Sequence, residues 1–163
     1  MRSQANMISF MANPISYRSA EFMKTNNQYC GAGSVSGAPL VWLRVEAMFV
    51  LILSILLYEH SGASWWRFGL LFLAPDLAMA GYWLNARTGA IAYNAVHSYV
   101  GPLALAGAAL AGMQLVDLDH GWLAYAFIWT AHIAFDRALG YGLKYPEGFK
   151  STHLGLLGKR VEA

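Results

Sequence analysis

From Thr88 to Val116 the chain runs for 29 residues without an Asp, Glu, Lys or Arg. A helix in a soluble domain turns one face to water and carries charge on it. About 20 predominantly apolar residues suffice to cross the hydrocarbon core of a bilayer. A stretch this long and this free of charge therefore predicts a membrane span and argues against the alternative, a soluble bundle of very apolar helices.

The rest of the chain agrees. Apolar residues make up 57% of the 163 and charged residues only 12%, against about 25% charged in an ordinary soluble domain. Three more segments are long and apolar enough once a few internal charges are accepted. The first runs from Pro39 to Tyr58, with Arg44 and Glu46 near its start. The second runs from Ser64 to Leu84 and contains Pro75-Asp76. The last runs from Gly121 to Gly140, with His132, Asp136 and Arg137 towards its end. The links Glu59-His60-Ser61-Gly62, Asn85-Ala86-Arg87 and Asp117-Leu118-Asp119-His120 are short, so consecutive helices must run antiparallel. The expected fold class is all-α, a four-helix transmembrane bundle with both termini on one side. Trp42, Tyr58, Trp65, Trp66, Tyr82, Trp122 and Tyr141 lie near segment ends and read as interfacial anchors.

Positive charge sets the orientation. Arg44, Arg87, Arg137, Lys144, Lys150, Lys159 and Arg160 fall on the side of the termini, whereas the opposite side has Arg67 alone beside Glu59, Asp117 and Asp119. The termini are expected in the cytoplasm, and the protein in the cell membrane as a multi-pass protein with the lipid bilayer as its partner. A net charge of +2 gives no electrostatic footprint for nucleic acid, and the single cysteine, Cys30, excludes a disulfide within the chain. Oligomeric state cannot be read from these features.

Residues 1–39 differ in kind. They are polar, contain no apolar run of the length a secretory signal needs, and end in the flexible stretch Gly31–Gly37. They read as a disordered leader or as the product of a start assigned upstream of the true one at Met7, Met11 or Met23. Residues 40–163 form the expected membrane domain.

Ionisable residues inside a span cost about 2.5–3.5 kcal/mol each on insertion scales, so each needs a compensating interaction. At a rise of 1.5 Å per residue, Asp76, His97 and His132 each lie about 12–13 Å from the cytoplasmic ends of their helices. Glu46 lies about 9 Å in and Asp136 about 6 Å in. Four helices thus bring polar groups to one depth. Asn94 and His97 are spaced i, i+3, and His132 and Asp136 i, i+4, which places each pair on one helical face. Pro75 should kink the second helix just before Asp76.

Three readings of this cluster remain open. In the first, His97 and His132 ligate a divalent metal (Zn, Mn or Fe) with Asp76, and Glu46 or Asp136 completes or orients the shell. In the second, the same groups bind a small polar ligand or carry protons. In the third, Arg44, Glu46, Asp136 and Arg137 are ion-paired glue between helices in a structural or partner-binding subunit. The metal reading extends to a membrane-embedded hydrolase with a metal-activated water, although His-x-x-x-Asp alone is a weak motif. After two glycines at 140 and 142 the tail carries Phe149, Leu154, Leu156 and Leu157. A solvated tail has no use for them, so the tail is expected to fold back over the cytoplasmic mouth and bring His153 near the cluster.

Several of these runs are familiar in combination. Leu43-Arg44-Val45-Glu46, Leu73-Ala74-Pro75-Asp76, Gly81-Tyr82, Tyr93-Asn94-Ala95-Val96-His97, His132-Ile133-Ala134-Phe135-Asp136-Arg137, Gly140-Tyr141-Gly142-Leu143-Lys144 and Thr152-His153-Leu154-Gly155 together resemble the small prokaryotic membrane-protein family known as domain of unknown function 4260. The resemblance covers about Leu40 to Lys159. It implies an integral membrane protein and supplies no reaction. It adds Thr152 and His153 to the positions of interest.

The charge asymmetry makes a direct prediction. A reporter fused after Ala163 should read cytoplasmic and one inserted at Asp119 should read external; the reverse pattern would overturn the orientation.

Overall fold

The computed structural model describes residues 34–116, 119 and 121–156; the leader, apart from its last residues, lies outside them. Val35 opens the compact unit that carries every element below, and its N–H donates to the His153 carbonyl at 2.8 Å. The described residues form α1 (Ala38–His60), α2 (Trp65–Phe72), a 3₁₀ segment (Ala74–Trp83), α3 (Ala86–Val96), α4 (Val100–Leu115) and α5 (Gly121–Leu139). A two-stranded antiparallel hairpin follows, β1 (Ser151–Thr152) and β2 (Gly155–Leu156).

Helix α5 is central and packs against α1, α2 and α4. Its buried positions include Ala124, Ala131 and Ala134, all with no exposed surface. Small side chains let helix backbones approach closely where apolar burial alone offers little discrimination. The matching stripe on α1 is Ala47, Ser54 and Tyr58, spaced by two turns and then one. The Ser54 hydroxyl donates to the Val50 carbonyl at 2.7 Å, so it brings no unsatisfied group into the seam. At the far end Tyr58 packs with Ala124 and Ile128, flanked by Phe68, Leu71 and Phe72. Its hydroxyl donates to the Ser64 carbonyl at 2.6 Å. Tyr58 is thus a core residue and not the interfacial anchor its position suggested. Trp42, Trp65, Trp66, Trp122 and Tyr141 do stand exposed.

Two expected helices are each broken by a proline. The segment expected as one helix over Ser64–Leu84 ends as α-helix at Phe72 and continues as ten residues of 3₁₀ helix. Pro75 has no N–H to give, and its ring would collide with the carbonyl four residues back in an unbroken helix. Runs of 3₁₀ beyond three or four residues are uncommon and often mark functional positions. The 29-residue stretch is interrupted too, between Val96 and Val100. Pro102 is the cause. It falls in the first turn of α4, where its missing N–H would have had no partner inside the helix, and it forbids regular helix through Ser98. α3 starts on Asn85, whose side-chain oxygen accepts from the Thr88 N–H at 2.8 Å, an ordinary N-cap.

Two runs remain long and apolar enough to cross a membrane, α1 and the interrupted stretch Ala86–Leu115. Only 11% and 17% of their most apolar portions are buried. A core helix of a soluble protein would be mostly buried.

The 3₁₀ segment packs on α3, and Gly89 makes this approach possible. A Cβ at Gly89 would run into the Tyr82 ring, whereas one at Gly69 meets nothing within 4 Å. Gly89→Ala should therefore lower thermal stability in detergent by about 1–3 kcal/mol, with Gly69→Ala near neutral. Equal stability of the two variants would refute this account of the contact.

Candidate metal centre

The two proline breaks set the positions of two functional side chains. Asp76 stands in the first turn of the 3₁₀ segment, directly after Pro75. His97 caps the C-terminus of α3 in the gap that Pro102 imposes. The other two come from one face of α5, His132 and Asp136, a helical turn apart.

The four side chains meet. Asp76, His97, His132 and Asp136 each offer one ligand atom, and these atoms all lie within 4.8 Å of one another. His97 Nε2 stands 3.5 Å from Asp76 Oδ1 and 3.5 Å from Asp136 Oδ2. His132 Nε2 stands 3.6 Å and 3.9 Å from the same oxygens. The two Nε2 atoms are 3.1 Å apart. Ligand atoms at zinc bond lengths of about 2.0–2.2 Å in a tetrahedron lie about 3.3–3.6 Å apart. The cluster is already close to that spacing.

The tautomer of His97 follows from its partner. Its Nδ1 lies 2.9 Å from the Tyr93 carbonyl oxygen. A carbonyl only accepts, so Nδ1 carries the hydrogen and the neutral ring turns a bare Nε2 towards the cluster. This is the arrangement in which metal-ligating histidines are usually held. His132 has no such support: its Nδ1 is buried without a partner among the described residues. Its ring is held by packing, edge-on to Phe72 at 5.3 Å between centroids.

Tyr93 organises the site. Its ring stacks on His97 at 3.6 Å with the planes 9° apart. Its hydroxyl donates to Asp136 Oδ2 at 2.9 Å. One residue therefore fixes the plane of one histidine through its ring, the tautomer of that histidine through its carbonyl, and the rotamer of one carboxylate through its hydroxyl.

The other expected site residues go elsewhere. Glu46 is exposed on α1 and is not among the four converging residues. Spacing relates Glu46 to its own helix but not to the side that meets the bundle. Asn94 does not share the task of His97. Its side chain pairs with the backbone of Lys144, donating to the carbonyl at 2.8 Å and accepting from the N–H at 2.7 Å. Arg137 lies over the Tyr99 ring at 4.2 Å. His153 lies in the tail, where its Nδ1 accepts from the Leu143 N–H at 2.8 Å. Its N–H donates to the Leu143 carbonyl at 3.1 Å. The tail leaves α5 at Gly140, whose φ of 97° is open to glycine and strained for other residues.

Sequence reasoning missed two residues, Tyr93 and Lys144. Lys144 is buried at 4% exposure. Its Nζ lies 4.1 Å from the Phe149 ring centroid, 5.0 Å from that of Tyr93 and 5.9 Å from that of Tyr141. Burial pulls its ammonium below the ordinary lysine range, while Asp136 and Asp76 act in the opposite direction.

The sequence pattern of the family described as Domain of unknown function (DUF4260) matches residues 40–157. No curated protein and no solved structure matches the chain.

The His153 contact has a pH dependence of known sign. Burial and Arg137 hold its imidazole below the ordinary histidine range, and only the neutral ring can accept the Leu143 N–H. A group with a depressed folded-state pKa of this cationic kind resists protonation in the docked tail and protonates more readily when released. The contact should be intact above about pH 6.5 and weaken as pH falls below it. The protection factor of the Leu143 amide in hydrogen exchange should drop between pH 7 and 5; unchanged protection would sink the claim.

Proposed function

The chain belongs to the DUF4260 family, and we propose that it is a multi-pass membrane protein that holds one divalent metal ion on Asp76, His97, His132 and Asp136. The observation that carries this reading is the convergence of four ligand atoms within 4.8 Å of one another, with the five separations that involve a histidine at 3.1–3.9 Å. Two carboxylate oxygens and two imidazole nitrogens repel one another unless a cation or shared protons lie among them. The supporting shell is of the kind metal sites use: a carbonyl behind His97 and a hydroxyl behind Asp136. Oxygen and imidazole donors suit Zn, Mn or non-haem Fe.

Membrane insertion is supported by the exposed apolar surface of α1 and of the stretch Ala86–Leu115. With the termini on the cytoplasmic side, the centre lies in the cytoplasmic half of the bundle. The tail, with Asn94 gripping Lys144, lies over its mouth.

One observation favours chemistry over a purely structural ion. Asp76 is the most open of the four, with its side chain 32% exposed against 15% or less for the others. Four protein ligands would fill a tetrahedral shell, whereas catalysis needs one exchangeable position; Asp76, on the open side, is the ligand that would give way to water or substrate. A metal bound here would supply a Lewis acid for hydrolysis. The chain supplies His97 and His132 as fixed ligands and Asp76 as the one on the accessible side.

Elemental analysis of the detergent-purified protein tests the proposal. About one Zn, Mn or Fe per chain is expected, falling to background in His97→Ala and His132→Ala without loss of the folded bundle. Tyr93→Phe keeps the ring and removes the hydroxyl. It should weaken metal affinity by about 10- to 100-fold, the usual effect of losing an outer partner. A parent protein without metal, in which both histidine variants are equally and strongly destabilised, would show that the cluster is structural glue.

A further inference from the structure

Among the described residues Lys144 is the one buried Lys or Arg, and no carboxylate lies in direct contact with its ammonium. It is 4% exposed. Buried lysines are rare unless paired. Among the described residues Lys144 makes no ion pair and its ammonium no hydrogen bond; the carboxylates of Asp76 and Asp136 stand against the histidines instead. What surrounds Nζ is three aromatic rings, Tyr93, Tyr141 and Phe149. Ring faces attract a cation but accept none of its three N–H bonds in the normal way.

Its position is nevertheless closely specified. The backbone of Lys144 is held on both sides by Asn94, and it forms an isolated antiparallel bridge with Thr152. The Tyr93 ring ties it to the centre, since that ring stacks on His97 at 3.6 Å while Nζ lies 5.0 Å from its centroid. The amine is therefore within about 9 Å of the His97 ring. Tyr141 and Phe149 are 43% and 44% exposed, and Nζ of Lys144 is not one of the fully enclosed unpartnered polar atoms. The amine therefore stands at the edge of this aromatic cover, within reach of a ligand from outside.

Charge indicates what would fill the gap. Two aspartates, two neutral histidines and one lysine sum to −1. A divalent cation on the four ligands brings the group to +1, in surroundings that disfavour net charge. We propose that Lys144 anchors a small oxyanion, the phosphate or phosphate-ester group of a substrate, which bridges its ammonium and the metal centre. This rests on the metal reading above and names the class of ligand that the same site takes. An ammonium is a point-charge binder of phosphate oxygens, and its three N–H bonds are then used.

The test uses the full chain, purified in detergent and loaded with zinc, with inorganic phosphate as the probe. Calorimetry should show phosphate binding that weakens at least tenfold in Lys144→Met and survives in Lys144→Arg, while zinc content is unchanged in both. A second measurement needs no variant. Phosphate should protect Lys144 of the wild-type protein from acetic anhydride, read by mass spectrometry, in the zinc-loaded form and not after zinc removal. The same labelling in nanodiscs of phosphatidylglycerol against phosphatidylcholine distinguishes the sources of the anion. Protection by phosphatidylglycerol without added phosphate assigns it to a lipid headgroup, and protection only by free phosphate assigns it to a soluble ligand. Zinc retained with no protection from either source overturns the anion proposal and leaves the metal reading standing. Failure of the wild-type protein to hold zinc overturns both.

Discussion

Two carboxylates and two imidazoles facing one point inside an apolar bundle form the constraint on which the rest of this structure depends. Each ionised group costs several kcal/mol to bury unpaired. Each imidazole Nε2 stands 3.5–3.9 Å from a carboxylate oxygen, where a shared proton or a cation can offset the charge, and a second layer holds the groups there. The Tyr93 hydroxyl bonds Asp136, and the Tyr93 carbonyl bonds His97. Helix α5 can deliver His132 and Asp136 from one face only because alanines on the same helix let its neighbours close around it.

The backbone is irregular where the cluster needs it to be. A regular helix through residues 64–84 would place Asp76 by the 3.6-residue period alone. Pro75 ends the α-helix, and the 3₁₀ turn that follows sets the carboxylate of Asp76 opposite both histidines. Pro102 does the same for His97 by forcing a stop at the end of α3, where the His97 N–H and Nδ1–H both reach the Tyr93 carbonyl. In each case a proline outside the cluster positions one of its members in the turn next to it.

This explains how much could be read from the sequence. Four apolar segments, their order and their ends near Pro39, Gly121 and Gly140 follow from hydropathy and capping, which are local. The convergence of Asp76, His97 and His132 follows from depth, because antiparallel helices of similar length bring equal depths together. The facing of each side chain does not follow. Glu46 has the right depth and the wrong azimuth, and Asn94 is drawn off by the Lys144 backbone. The break at Pro102 was hidden because a charge-free run reads as one span, and apolarity says nothing about continuity. Tyr93 carried a signal that was available. It precedes His97 by four residues, the distance over which a helical ring stacks on the next turn, and its hydroxyl in an apolar run needs a partner.

The tail shows why the site and its surroundings are one system. Asn94 lends its amide to Lys144 as if it were a neighbouring strand, so the last turns of α3 hold a segment 50 residues away in sequence. Tyr93 and Asn94 of α3 and its cap His97 thereby meet three demands: orienting the cluster, holding the tail and supplying one member of the cluster. The same ring of Tyr93 lies against the His97 imidazole and within reach of the Lys144 ammonium. Any movement of the tail that withdraws Lys144 alters the electrostatic surroundings of the aspartates that its charge favours. Any tilt of Tyr93 moves His97 and frees Asp136 at once. A single side chain, Tyr93, thus touches His97, Asp136 and the Lys144 ammonium of the tail.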